Sequence, residues 1–411
     1  MKKFVPHKLS ISTITPPASK SYAQRAIMAA SLCDEPTLLK NLGSSDDVRH
    51  ILGIAKQIGA ELEGLNDGIR ITPKSNPLQT NLNCGESGLG IRMTTPILTT
   101  FGKPFKIQAK GSLLNRPLHE FETILPQIGV ELESNNGLAP LAINGTIKGG
   151  TIQVDGSLSS QYITGLLMAL PLADEDSLIQ VHQPTSVPYL KMTIDLLSDF
   201  GIEIEHEDFQ EFKIRGKQKY RSPGTYQIEN DWSAAAFWVV YGAIKQRIEI
   251  QSLNPDSAQA DKEIISIVEQ AGAAVHWKQN TLIIEPQPLS PIHVDATQCP
   301  DLFPILATLC MNIHGRSKIK GIQRLTHKES NRAKTIQSEF HKLGVPINLK
   351  DDFMIFEPHH QLISNEVTSH NDHRIAMALA IAASTMQEGI YISSAEAVNK
   401  SYPDFWADLS L

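Results

Sequence analysis

QIGAELE at residues 57–63 returns as QIGVELE at 127–133, DFGIEIE at 199–205, QAGAAVH at 270–276 and KLGVPIN at 342–348. Measured between Gly59, Gly129, Gly201, Gly272 and Gly344, the intervals are 70, 72, 71 and 72 residues. Each copy reads alike. An apolar helical pattern stops at glycine, the usual residue for a left-handed helix end, and an alternating strand begins. Five such phrases at one spacing predict a repeated unit of about 70 residues, too long for a thin solenoid repeat of about 20–50 residues and suited to an α/β unit.

A second series, out of phase with the first, marks helix starts. A polar cluster precedes an apolar run at ASKSYAQRAIMAA, GESGLGIRMTTPIL, SLSSQYITGLLMALPLA, NDWSAAAFWVVYGAI, CPDLFPILATLCM and NDHRIAMALAIAA. With Ser21, Gly88, Ser160, Ser233, Asp301 and Asp372 as markers, the intervals are 67, 72, 73, 68 and 71 residues. Six units dividing three and three predict two similar α/β domains. No Gly–strand phrase follows the last helix start, whereas about twenty residues precede the first, so an N-terminal strand is expected to complete the last unit.

Composition bounds the function. At 411 residues the chain is too long for one ordinary core. It has 41% hydrophobic and 20% charged residues, as soluble globular proteins do. A net charge of −7 speaks against a nucleic-acid partner, so any bound anion needs a local group of cations. Cys33, Cys84, Cys299 and Cys310 lie far apart without CxxC spacing, which fits a reducing cytoplasm and argues against zinc. The opening MKKFVPHKLSISTITPP has no apolar run of the kind a signal peptide carries. The most apolar stretch, near residues 163–173, is far short of the roughly 20 residues a bilayer demands, so no membrane partner is expected.

Helix N-termini carry partial positive charge and free N–H groups, and favour acidic side chains there. These starts are instead rich in cations: Lys20 and Arg25 at the first, Arg92 at the second, Arg374 at the sixth. Arg116, Lys328, Arg332 and Lys400 lie in loops or helix entries. Serine and aspartate at helix starts are ordinary caps, and each cation alone reads as a solvated surface charge. Together they predict a polyanionic ligand held at helix starts, in a cleft if the two domains face each other there. Asp301 and Glu329 lie among these cations, placed for acid–base work, although an ion-paired surface helix start explains KESNR equally well.

PASKSYAQRA (17–26) resembles the PGSKSxSxRA opening of the 3-phosphoshikimate 1-carboxyvinyltransferase family. SLLNRPLHEFETILPQIG, SLSSQYITGLLMALPLA, SVPYLKMTIDLLSDFG, IENDWSAAAFW, PDLFPILATL, THKESNRAKTIQSEFHKLG, NDHRIAMALAIAA and NKSYPDF resemble that family's later segments in order, from about Thr15 to Phe405. The resemblance implies an inside-out α/β barrel fold of the enolpyruvyl transferase type. Its central domain would span residues 17–229. A second domain, from 1–16 plus 230–411, would join it through a two-stranded hinge that closes over substrate. It implies transfer of the enolpyruvyl group of phosphoenolpyruvate to the 5-hydroxyl of shikimate 3-phosphate, with release of phosphate and no metal or organic cofactor, in a monomer. Ser21, Arg25, Ser159, Ser160, Gln161, Ser186 and Tyr189 would hold shikimate 3-phosphate, with Lys328 beside it. Lys20, Gly88, Arg116, Gln161, Arg332, Arg374 and Lys400 would hold phosphoenolpyruvate. Asp301 would take the proton of the attacking hydroxyl, and Glu329 and Lys20 would serve the enol methylene.

Two departures stand out. Where the family reads close to GNAGTxxR, this chain has GESGLGIR, with Glu86 for an amide and Leu89 for a hydroxyl. A carboxylate bordering an anion pocket weakens binding unless Arg92 or another cation pairs with it. Arg324, in GIQRLTHKE, stands near a position where the family carries asparagine. These changes motivate a rival reading, a catalytically lapsed relative that still binds anions. A sister enzyme acting on a UDP-linked amino sugar is the other rival, but it needs a cysteine that GSLLN at 111–115 lacks.

Overall fold

The computed structural model describes residues 1–74, 77–326, 328–358 and 361–409. At each repeated phrase a helix gives way to a strand. The helix Asp46–Gln57 stops before Gly59 and the strand Glu61–Leu65 follows. Gly59, Gly129, Gly201, Gly272 and Gly344 all have positive φ, between 76° and 113°. A side chain with a Cβ is strained there, which is why glycine punctuates the repeat.

The strands form six sheets among the described residues, five of four strands and one of three. In the sheet Gly150–Asp155, Ser177–His182, Glu211–Ile214 and Ile204–Glu207, the first pair is parallel and the rest antiparallel. A helix bridges the parallel strands, and a second leads into the antiparallel hairpin. The other four-stranded sheets repeat this order.

Two sheets borrow a strand from far along the chain. Thr225–Gln227 runs parallel to Thr37–Lys40, and Thr13–Ile14 runs parallel to Ile248–Ile250. The three-stranded sheet is finished by the N-terminal strand Lys2–Val5, antiparallel to Ile390–Ser393. The short last unit is thus completed by the start of the chain.

The chain divides into two compact units, residues 18–229 and residues 1–17 with 230 onward, each with three sheets. In the first, the helices Lys20–Ser31, Gly88–Leu98 and Ser160–Ala169 are buried almost all round. In the second, Trp232–Ile244, Phe303–Cys310 and His373–Ala383 are buried likewise. Half-buried helices such as Asp46–Gln57 and Arg332–Lys342 lie further out. The sheets keep one face buried, as Ser177–His182 does with its alternate residues inward. Helices at the centre under a jacket of sheets make each unit an inside-out α/β barrel. Packing there is close: a Cβ on Gly165 would lie 2.6 Å from the Arg92 carbonyl oxygen, so only glycine lets those two helices cross. Among the described residues no helix is long and apolar enough to span a membrane.

Candidate active site

The starts of the central helices gather polar groups in each unit. Four are capped by their own side chains. Ser87 accepts from the Gly90 N–H at 3.0 Å, Ser159 from Gln161 at 3.2 Å, Asp231 from Ala234 at 2.8 Å and Asp372 from Arg374 at 3.0 Å. Capping therefore accounts for part of the polar character of these positions.

In the 18–229 unit, Arg25 is 1% exposed. It donates to Thr193 Oγ1 at 2.9 Å, to the Ser21 carbonyl at 2.9 Å, to Thr164 Oγ1 at 3.3 Å and to the Tyr189 carbonyl at 3.5 Å. Every one of these acceptors is neutral. Burial without a facing carboxylate pushes its pKa down to about 10, and such a cation is costly unless an anion joins it. Arg25 also ties Ser21 to Tyr189 and to the Ser160 helix. Ser186 stands at the start of the helix Val187–Asp199 in a left-handed conformation, φ 53°, rare for a residue with a side chain.

Arg92 joins the second and third starts, donating to Gln161 Oε1 at 3.1 Å and to the Gly88 and Pro117 carbonyls at 3.3 and 2.9 Å. Ser87 donates to Gln24 Oε1 at 2.7 Å, linking the first start to the second. The Arg116 guanidinium lies on the Cα of Gly88, where a Cβ would come within 2.6 Å of Nη1. Lys20 pairs with the buried Asp47 at 2.9 Å. Ser160 is buried at its helix start, while Ser159 and Gln161 keep partial exposure.

Glu86 does not turn to Arg92. Its Oε2 accepts from the Ser112 N–H at 3.1 Å and the Ser112 hydroxyl at 2.8 Å. The carboxylate latches the turn Gly111–Asn115 that leads to Arg116.

In the other unit Arg332, 1% exposed, is the hub. It donates to Asp301 at 2.8 Å, Glu329 at 2.6 Å and Asp372 at 2.9 and 3.3 Å. Asp301, in the 3-10 turn Pro300–Leu302 just ahead of the Phe303 helix, also receives Lys328 at 3.3 Å and Arg374 at 3.0 Å. Lys400 lies 3.6 Å from Glu329. Burial pushes the Asp301 carboxyl up, but Arg374, Lys328 and Arg332 outweigh it and hold it well below the usual carboxylate range. For Lys328 burial wins, and its pKa is lowered despite Asp301. Burial also lowers that of Arg324. His327, within THKESNR, lies outside the described residues.

The candidate residues thus fall into two groups. Lys20, Ser21, Arg25, Gly88, Arg116, Ser159, Ser160, Gln161, Ser186 and Tyr189 are knit together in one unit. Asp301, Lys328, Glu329, Arg332, Arg374 and Lys400 are knit together in the other. Sequence reading missed the residues that brace them. Asp47 is hidden among the ordinary helix-start acids of SSDD, and Thr164 and Thr193 look like core filler. Asp261 sits in QADKE with no motif around it.

Six α/β units around buried helices, with cations at three of the six starts, define the enolpyruvyl transferase fold. The model of the EPSP synthase (3-phosphoshikimate 1-carboxyvinyltransferase) family matches residues 6–409. A 3-phosphoshikimate 1-carboxyvinyltransferase of Clostridium kluyveri is 37% identical over 98% of this chain and 95% of its own length, and one of Clostridium novyi is 36% identical over 99% and 96%. An EPSP synthase structure from Acinetobacter baumannii superposes with a TM-score of 0.83 at 23% identity over 99% of this chain and 97% of that one. The enolpyruvyl transferase NikO from Streptomyces tendae gives 0.79 at 16% over 99% and 96%. The chain belongs to the EPSP synthase family. Its activity is the transfer of the enolpyruvyl group from phosphoenolpyruvate to shikimate 3-phosphate, in aromatic amino acid biosynthesis.

Proposed function

We propose that the two groups of residues divide this reaction between them. Ser21, Arg25, Ser159, Ser160, Gln161, Ser186 and Tyr189, with Lys328, hold shikimate 3-phosphate. The observation that carries this half is Arg25, a buried guanidinium whose neutral acceptors leave its charge for an anion. Lys20, Gly88, Arg116, Gln161, Arg332, Arg374 and Lys400 hold phosphoenolpyruvate, through bidentate arginine and point-charge lysine contacts.

The attacking 5-hydroxyl oxygen forms a bond to C2 of phosphoenolpyruvate, and its proton goes to Asp301. The methylene C3 takes a proton from Glu329 or Lys20, giving a tetrahedral ketal. Loss of a proton from the resulting C3 methyl to Glu329 or Lys20, with departure of phosphate from C2, then restores the double bond. Asp301 is a poor base while three cations hold its charge. A substrate anion that claims Arg374 and Arg332 withdraws them from Asp301 and raises its basicity, so the base strengthens when substrate is in place. The two compact units serve as the central and second domains, their double connection as the hinge. The chain acts as a cytoplasmic monomer, in keeping with four free buried cysteines.

Asp301→Asn tests the assignment. Turnover should fall by about 10²–10⁴-fold, the usual contribution of a positioned base, with phosphoenolpyruvate still bound. Turnover within a factor of a few of the parent would remove Asp301 from the role.

A further inference from the structure

Asp261 has no part in the roles assigned above, yet it stands directly behind them. It lies in the 3-10 turn Ala260–Glu263 and is 1% exposed. Its Oδ2 accepts a hydrogen bond from the Ser233 hydroxyl and lies 3.8 Å from Arg374 Nη1. Its Oδ1 is buried with no hydrogen-bond partner. The other arm of Arg374, Nη2, reaches Asp301 Oδ2 at 3.0 Å. The guanidinium is thus stretched between two carboxylates, one in the assigned machinery and one outside it.

We propose that Asp261 is a positioning residue for Arg374, its carboxylate holding the second arm of the guanidinium so that the arginine meets phosphoenolpyruvate already oriented. The inference rests on the reading of Arg374 as a phosphoenolpyruvate ligand. With Asp261 neutral, its pull on Arg374 is lost and that of Asp301 gains weight. The fork is drawn onto the base, and an incoming anion must take it from there. A structural role alone is already covered nearby: the Gln259 side chain accepts from Trp232 N–H at 3.0 Å and Asp231 caps Ala234, so the helix start does not depend on Asp261.

Burial pushes the Asp261 carboxyl up to about 7; Arg374 opposes this, while Asp301 and Asp231 add to it. The groups that face it are Arg374 from the His373 helix, Asp301 from the turn at 300–302, Asp231 and Ser233 from the Trp232 helix start, and Cys299, whose thiol burial keeps protonated. Asp261 therefore changes charge across neutrality, and with it the hold on Arg374.

The test is the KM for phosphoenolpyruvate as a function of pH, at saturating shikimate 3-phosphate, for the parent, Asp261→Asn, Ser233→Ala and Arg374→Ala. Comparing variants at one pH cancels titration of the substrate's own phosphate, which ionises near pH 6. Asp261→Asn should match the parent below about pH 6, where Asp261 is already protonated, and exceed its KM by about tenfold well above pH 7. A KM ratio that is constant across the range would overturn the proposal, because a merely structural defect has no reason to vanish in acid. Ser233→Ala removes a bond to the carboxylate and should move the midpoint of the KM change to higher pH; an unmoved midpoint would count against Asp261 as its source. It also carries the test if Asp261→Asn does not fold. An unchanged KM in Arg374→Ala would defeat the ligand reading of Arg374 itself, an outcome distinct from either of the others.

Discussion

Gly88→Ala should separate phosphoenolpyruvate binding from everything else the chain does. A methyl at this position would lie 2.6 Å from Arg116 Nη1, 2.8 Å from Cζ and 2.9 Å from Nη2, whereas ordinary contact begins at 3.4 Å. The guanidinium must retreat by the difference, 3.4 less 2.6, or about 0.8 Å. Misplacing a binding group by about 1 Å costs up to about 10²-fold, so the KM for phosphoenolpyruvate should rise about ten- to a hundred-fold. The backbone has no objection, since Gly88 opens its helix without a positive φ. The three atoms nearest that methyl all belong to the far end of the long Arg116 side chain, so stability should change by less than about 1 kcal/mol. Phosphate release at saturating shikimate 3-phosphate, with phosphoenolpyruvate varied, measures the KM, and thermal unfolding measures the fold. The KM for shikimate 3-phosphate should hold within about twofold, since Arg25 and its neighbours are untouched. An unchanged phosphoenolpyruvate KM in a stable variant would refute the placement of Arg116. A large drop in Tm would show instead that Gly88 is there for packing.

Lys20→Ala and Glu329→Ala should each remove most turnover in a chain that still folds, at some loss of Tm because each leaves a buried partner, Asp47 or Arg332, with less compensation; near-normal rates in either would cancel its role at the methylene. Glu86→Gln keeps an oxygen for Ser112 and should leave the phosphoenolpyruvate KM within about twofold, whereas Glu86→Ala frees the turn before Arg116 and should raise it several-fold; equal values in both would mean the latch is idle. Folding raises the Asp261 pKa to about 7, so between about pH 4 and 7 the folded chain binds more protons than the unfolded one and stability falls as pH rises. Asp261→Asn escapes this loss and should melt above the parent at pH 8 but not below pH 4, and calorimetry showing the same difference at both would contradict the shift.

The architecture was readable because glycine at a left-handed helix end cannot be disguised. Gly59, Gly129, Gly201, Gly272 and Gly344 announced the period, and the missing sixth phrase announced that strand Lys2–Val5 closes the last unit. Thr225–Gln227 and Thr13–Ile14 carried no such signal, because a two- or three-residue strand in a foreign sheet has no periodicity of its own. The cations were legible as residues out of place at helix starts. What held them was not. Asp261 acquires its meaning from the 3.8 Å that separates it from Arg374, more than a hundred positions away. Glu86 showed the limit of substitution reading: its carboxylate accepts two hydrogen bonds from Ser112, a contact the sequence did not signal.

The acceptor that receives the enolpyruvyl group distinguishes this enzyme from its rivals. Phosphate release from phosphoenolpyruvate should be followed with shikimate 3-phosphate and, in parallel, with UDP-N-acetylglucosamine, alongside product analysis. Release only with shikimate 3-phosphate, one phosphate for each enolpyruvyl ether formed, is the predicted result. Release with the sugar nucleotide, or none with either acceptor from a folded protein, would contradict it.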